Sequence, residues 1–168
     1  RDRDELSFKT PSGKIEMVHS KWDDQGLPSL KPYTPTHPPE GTFRLTFGRC
    51  GVHTQGHTLN NPLLFEQVSE NVLWMNAEAG AGIGVSDNDM VTISSNGFSD
   101  RMRVKLTDLI HPEAVFMLHG FGHRLPVESR AFGKGVADNK LMAGGLAKWD
   151  PAGGGVAMQE TFVTVEKA

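Results

Sequence analysis

Apolar and polar residues alternate strictly along Phe43-Arg44-Leu45-Thr46-Phe47, and a period of two puts every second side chain on one face of a strand. The alternation returns at Met90 to Ser95, Arg101 to Thr107 and Thr161 to Glu166, while Ala114 to Leu118 is a short continuous apolar run suited to a buried strand. Asn96-Gly97 lies between the second and third runs, and this pair tolerates the positive φ of a type I′ turn. The connection is a few residues longer than two, so a larger turn fits equally well. Asn71 to Met75 is a further apolar run. Asn76 can then cap a short helix reaching Ile83, weakened by Gly80 and Gly82. Short strands, glycine-rich connections and little helix predict a mainly β fold: a barrel with small helical insertions.

Residues 1–42 have a different texture. After the turn Thr10-Pro11-Ser12-Gly13, the alternation Lys14-Ile15-Glu16-Met17-Val18 predicts a short strand. Prolines at 28, 32, 35, 38 and 39 then predict an extended strap, because each fixes φ and removes a donor. We read 1–42 as a lead-in arm from the upstream part of a larger polypeptide and 43–168 as the domain proper. The opening Arg1, where a methionine would start a translated chain, carries the expectation of an excised segment or processed product. A Gly153-Gly154-Gly155 run predicts a flexible loop.

A length of 168 residues with 38% hydrophobic and 22% charged positions suits one globular core. A net charge of -3 with no dominant basic cluster argues against a nucleic-acid polymer as partner. Apolar runs of about five residues are too short for a membrane-spanning helix. With Cys50 as the single cysteine, an internal disulfide and any cysteine-clustered zinc or iron–sulfur site are excluded.

Two stretches concentrate polar chemistry. Gly48 to Pro62 leaves a strand and carries Arg49, His53, Thr54, Gln55, His57, Thr58, Asn60 and Asn61, a donor-rich set suited to a flat heteroatom-rich ring or a phosphate. The same composition also describes a polar loop whose side chains satisfy one another. Pro112 to His123 delivers His119-Gly120-Phe121-Gly122-His123 from the end of a buried strand, again either a ligand turn or a plain glycine turn. Both stretches contain His-x-x-x-His, a zinc spacing on a helix, but Gly56, Gly120 and Gly122 argue against helices there. Gly133-Lys134-Gly135 lacks the spacing of a phosphate loop, and Asp87-Asn88-Asp89 reads as a turn into the strand from Met90 rather than a calcium loop. No nucleophile elbow and no carboxylate pair is present, so no catalytic residue is assigned.

Taken in order, these pieces resemble the C-terminal dinucleotide-binding domain of molybdopterin oxidoreductases of the dimethyl-sulfoxide-reductase type. The resemblance runs over residues 8–168, through Gly48-Arg49, His53-Thr54, Thr58-x-Asn60-Asn61-Pro62, Glu70 to Ala79, Ile83 to Val91, His119 to His123 and Asp138-Asn139. It implies a double-psi β-barrel closing over a molybdopterin guanine dinucleotide whose molybdenum or tungsten is held mainly by the rest of a parent enzyme. Gly48, Arg49, His53, Thr54, His57, Thr58, Asn60 and Asn61 would line the pterin side, and His119, Gly120 and Asn139 would add contacts; no metal ligand is implied in this chain. The look is that of the polysulfide and thiosulfate reductases, which implies the remainder of a catalytic subunit, an iron–sulfur electron-transfer subunit and a membrane anchor as partners, anaerobic respiration as setting, and a periplasmic or membrane-associated complex. It also implies that this domain turns over no substrate alone. Where the family pattern has arginine before Thr58 this chain has His57, and Asn88 replaces a usual glycine. Two other readings remain: a stand-alone double-psi barrel that binds ligands without molybdenum, and a small histidine–zinc hydrolase.

Overall fold

A computed structural model describes residues 8–18, 20–27, 35–125, 129–142, 154–156 and 160–168. The chain divides into two compact units, 1–36 with 150–154, and 37–149 with 155–168.

The first unit holds one helical turn, α1 (Ser20–Asp23), and no strand among its described residues. The strand expected at Lys14–Val18 does not form. The Thr10 hydroxyl donates to the Lys14 carbonyl at 2.6 Å and the Ser12 N–H to the Glu16 carboxylate at 2.9 Å, so local side chains hold the turn. Among the described residues no strand pairs with it, and Ile15 and Met17 are exposed. Of the expected proline strap, 28–34 lies outside the described residues, as does Gly153.

The second unit is a closed six-stranded barrel. Its strands are β1 (Phe43–Gly48), β2 (Leu73–Met75), β3 (Met90–Ser95), β4 (Phe98–Leu106), β5 (Ala114–Leu118) and β6 (Phe162–Lys167), in the ring order β1-β5-β2-β4-β3-β6. Two pairs are parallel, β1 with β5 and β2 with β4, and the remaining pairs are antiparallel. Two interlocked parallel pairs in one closed ring are the arrangement of a double-psi barrel. Alternate residues point inward as the sequence period demands: Leu45, Met75, Val91, Ile93, Val104, Val115, Met117 and Val163 are all buried in one core. A closed ring leaves no unpaired sheet edge.

Turn chemistry agrees with the sequence. Asn96 and Gly97 have φ of 50° and 76°, so β3 and β4 join through a two-residue hairpin, and the larger turn is not used. Asn76 caps α3 (Ala77–Gly82) by accepting from the Glu78 and Ala79 N–H groups. Asn88 has φ of 66°, which asparagine tolerates, and Asp87 accepts from the Leu106 N–H at 2.8 Å. Two short helices went unread: α2 (Pro62–Gln67), capped by Asn61 with proline in its first turn, and α4 (Asp138–Leu141).

Two stability outcomes follow. Ile93→Ala should cost about 2–5 kcal/mol in urea unfolding, against less than about 0.5 kcal/mol for Leu109→Ala at an exposed site. Lys167 holds the Asp89 carboxyl below its ordinary value of 3.8, aided by the Ser86 N–H. Because the folded form prefers the carboxylate, that contribution is present above pH 3.8 and disappears as pH falls through the lower folded value. Acid unfolding followed by circular dichroism should therefore show a shallower loss below pH 3.8 for Asp89→Asn than for the parent chain.

Candidate functional site

Because β1 and β5 run parallel, they deliver their following loops to the same end of the barrel. Gly48 is the register partner of Leu118, and the His119 N–H donates to the Gly48 carbonyl at 2.9 Å. The loop 49–61 and the turn 119–123 therefore start side by side. Between them and α4 lies a cleft with two compartments, of about 410 Å³ and about 280 Å³, both bordered by Gln55, His119 and Asn139.

Three backbone segments meet beneath this cleft at distances that only glycine permits. Gly122 has φ of 81°, and a Cβ there would lie 2.2 Å from the Ala137 nitrogen; at Gly120, with φ of 99°, it would lie 2.6 Å from the Gln55 carbonyl carbon. The glycines of His119-Gly-Phe-Gly-His123 thus lock the turn between the first loop and the segment leading to α4. Asn71, 1% exposed, fastens the same place from behind. Its amide donates to the Leu118 carbonyl at 2.7 Å and the Val136 carbonyl at 2.9 Å, and its oxygen accepts from the Val136 N–H at 2.9 Å. A small second core of Leu59, Phe121 and Ala131 fills the space under the loops.

The residues expected at the site divide into two groups. His53 is buried, with Nε2 donating to the Val68 carbonyl at 2.7 Å, Nδ1 3.2 Å from the Thr58 hydroxyl and its ring edge-on to Phe121. The Thr58 hydroxyl accepts from the Thr54 N–H, the Asn60 side chain accepts from the Ala131 N–H, and Asn61 caps α2. These four side chains, His53, Thr58, Asn60 and Asn61, hold the loop in shape and do not border the cleft; neither does Thr54. Gly48, Arg49, His57, His119, Gly120 and Asn139 do border it. With both His53 nitrogens engaged inside the loop and neither His-x-x-x-His helical, the zinc spacing is not realised; among the described residues no group of three His, Cys, Asp or Glu stands together as a metal site.

Electrostatically the site turns on His119. Asp138, 2% exposed, accepts from His119 Nδ1 at 2.7 Å, which fixes the ring and leaves Nε2 for the cleft. Asp138 and Asn139 stand on α4, whose far end is tied down by Asn96 donating to the Leu141 carbonyl at 2.7 Å and by Lys140 over the Phe98 ring. The β3–β4 hairpin thereby positions two cleft residues. Gln55, His123 and Asp138 border the cleft but were not among the expected site residues, although all three lie in stretches that the sequence or the family resemblance singled out. The His119–Asp138 contact joins distant parts of the chain and had no local signal.

Chemically, the larger compartment presents imidazoles and carboxamides, and the smaller one adds the Arg49 guanidinium beside Phe47 and Met142. Cleft volumes of this order hold a fused ring or a nucleotide, and the set of donors suits a heteroatom-rich ring joined to phosphate.

A family model described as "Molydopterin dinucleotide binding domain" matches residues 43–162. The thiosulfate reductase molybdopterin-containing subunit of Salmonella typhimurium is 26% identical over 143 residues, covering 83% of this chain and 19% of that protein. Among solved structures, acetylene hydratase from Pelobacter acetylenicus superposes with a TM-score of 0.78 at 16% identity, covering 98% of this chain and 25% of that one, and shares the fold. The chain thus spans about a fifth to a quarter of the length of these relatives.

Asn71→Ala should cost about 3 kcal/mol in urea unfolding, since it leaves three backbone groups, two buried and one part-buried, without their partner at about 1 kcal/mol each. His57→Ala, at an exposed position without such bonds, should change stability by less than about 0.5 kcal/mol in the same measurement.

Proposed function

The chain belongs to the molybdopterin dinucleotide-binding domain family, and from that premise we propose that the cleft between the β1 and β5 loops receives the cofactor's fused ring and the adjoining phosphates. The observation that carries this reading is the cleft itself: Arg49, His119 and Asn139 border it within the matched residues, while neighbouring polar side chains are engaged in holding the loops. Arg49 would pair with phosphate, and Asn139 and His119 Nε2 would donate to or accept from ring heteroatoms. His53, Thr54, Thr58, Asn60 and Asn61 serve the same purpose indirectly, by fixing the loop that carries Arg49 and His57. The cofactor's molybdenum or tungsten would supply redox chemistry, while these residues would bind and orient the fused ring and phosphates.

The parent is read as an oxidoreductase acting on a sulfur compound such as thiosulfate or polysulfide. Similarity across 83% of the chain to a thiosulfate reductase subunit supports it. In the same reading the nucleotide is guanine, residues 1–42 lead in from the upstream body and 43–168 form the cofactor-binding lid. The remainder of the catalytic subunit completes the site, with an iron–sulfur subunit and a membrane anchor as further partners.

Cofactor retention in the purified full-length polypeptide tests the proposal. Released pterin fluorescence and metal content should fall about tenfold or more in Arg49→Ala/Asn139→Ala, equivalent to losing one or two charge-assisted hydrogen bonds. Retention equal to that of the unaltered polypeptide, with folding intact, overturns the assignment of this cleft.

A further inference from the structure

Resting on the reading that the cleft takes a fused-ring cofactor, we propose that Gln55 is a specificity-determining residue that reads a paired donor and acceptor on the edge of the ligand's ring. Its backbone has φ of 49°, in the left-handed region that side chains other than asparagine, aspartate and glycine seldom occupy. Among the described residues two other non-glycine positions share a positive φ, Asn88 and Asn96; both are asparagines in tight turns, and both engage their side chains, Asn88 with Asp87 and Asn96 with Ser95 and Leu141. Gln55 is neither. Its carboxamide is exposed and makes no hydrogen bond among the described residues, and it borders both compartments of the cleft.

The conformation is imposed from outside. Gly120 presses against the Gln55 carbonyl so closely that a Cβ would lie 2.6 Å from its carbon, and Gly56 packs in turn against the His123 ring. Glycine at position 55 would meet this geometry without strain, so the side chain there is a burden on the fold that points to a use. A carboxamide places one acceptor and one donor side by side in a plane. It therefore pairs with a ring edge carrying an adjacent N–H and C=O, the edge of a 2-aminopyrimidin-4-one, which pterin and guanine share. Having a second carboxamide, Asn139, at the border of the same two compartments gives the ring a polar partner on the α4 side.

Calorimetric titration of the 168-residue chain with neopterin, guanosine 5′-monophosphate and ribose 5-phosphate, alongside thermal unfolding, tests this. Gln55→Gly should weaken the ring-bearing ligand at least tenfold while leaving Tm unchanged or slightly raised. Gln55→Leu, which keeps the bulk and removes the polar pair, should weaken it equally. Binding of neopterin alone assigns the edge to the pterin end, and binding of the nucleotide alone to guanine; ribose 5-phosphate should be indifferent to both substitutions. Affinity unchanged in both variants, or a Tm that falls together with affinity in Gln55→Gly, overturns the proposal. So does failure of the unaltered chain to bind either ring at millimolar concentration, whereas the assignment of the cleft is judged separately, by cofactor retention in the Arg49→Ala/Asn139→Ala polypeptide.

Discussion

A single buried carboxamide ties together the end of the barrel that carries the cleft. Asn71 uses both amide hydrogens and its oxygen on the backbone of two segments, the end of β5 at Leu118 and the run through Val136 that leads to α4. A Cβ on Gly135 would lie 2.2 Å from the Asn71 oxygen, so the second segment can come this near only without a side chain. The two bonds to Val136 are buried and the one to Leu118 partly so, and an apolar substitute would leave the carbonyls and the amide stranded. His119, Asp138 and Asn139 all lie within three residues of the fastened points, which is why the cleft has a defined shape on an otherwise loop-built surface.

The polar loop 48–61 shows how one composition serves two purposes. Buried His53 and the capping Asn61 make the loop a rigid object, and Arg49, Gln55 and His57 project from it. Composition left a ligand loop and a self-satisfied polar loop equally open; His53, Thr58, Asn60 and Asn61 fit the second description, while Arg49, Gln55 and His57 border the cleft. Rigid support under a few projecting groups limits the entropy lost when a ligand arrives.

Much of the barrel was legible because its cause is local. Strand positions follow from alternation at Phe43–Phe47 and Met90–Ser95, and the hairpin from Asn96-Gly97. Lys14–Val18 shows the limit of that signal: alternation describes a strand only where a neighbour exists to pair with it. Asn61-Pro62 carried a helix-start signature as plain as that of Asn76, but polar residues in a donor-rich loop draw attention to ligands first. Family resemblance singled out the loops that follow β1 and β5. It could not sort their side chains, because the partners of His53, Asn60 and His119 are Val68, Ala131 and Asp138, fixed by tertiary packing alone.

The parallel pairing of β1 with β5 also orders events in time. Arg44 faces Ala114, and Phe43 on the ring's other side faces Val163, so the first strand waits for the last to be available before the ring can close. Pairings this distant along the chain make folding slow, since a large loop entropy precedes the contacts that reward it. The loop 49–61 and the turn 119–123 spring from that seam and are brought together only once it has zipped. The cleft between those loops therefore belongs to the finished domain and not to the nascent chain.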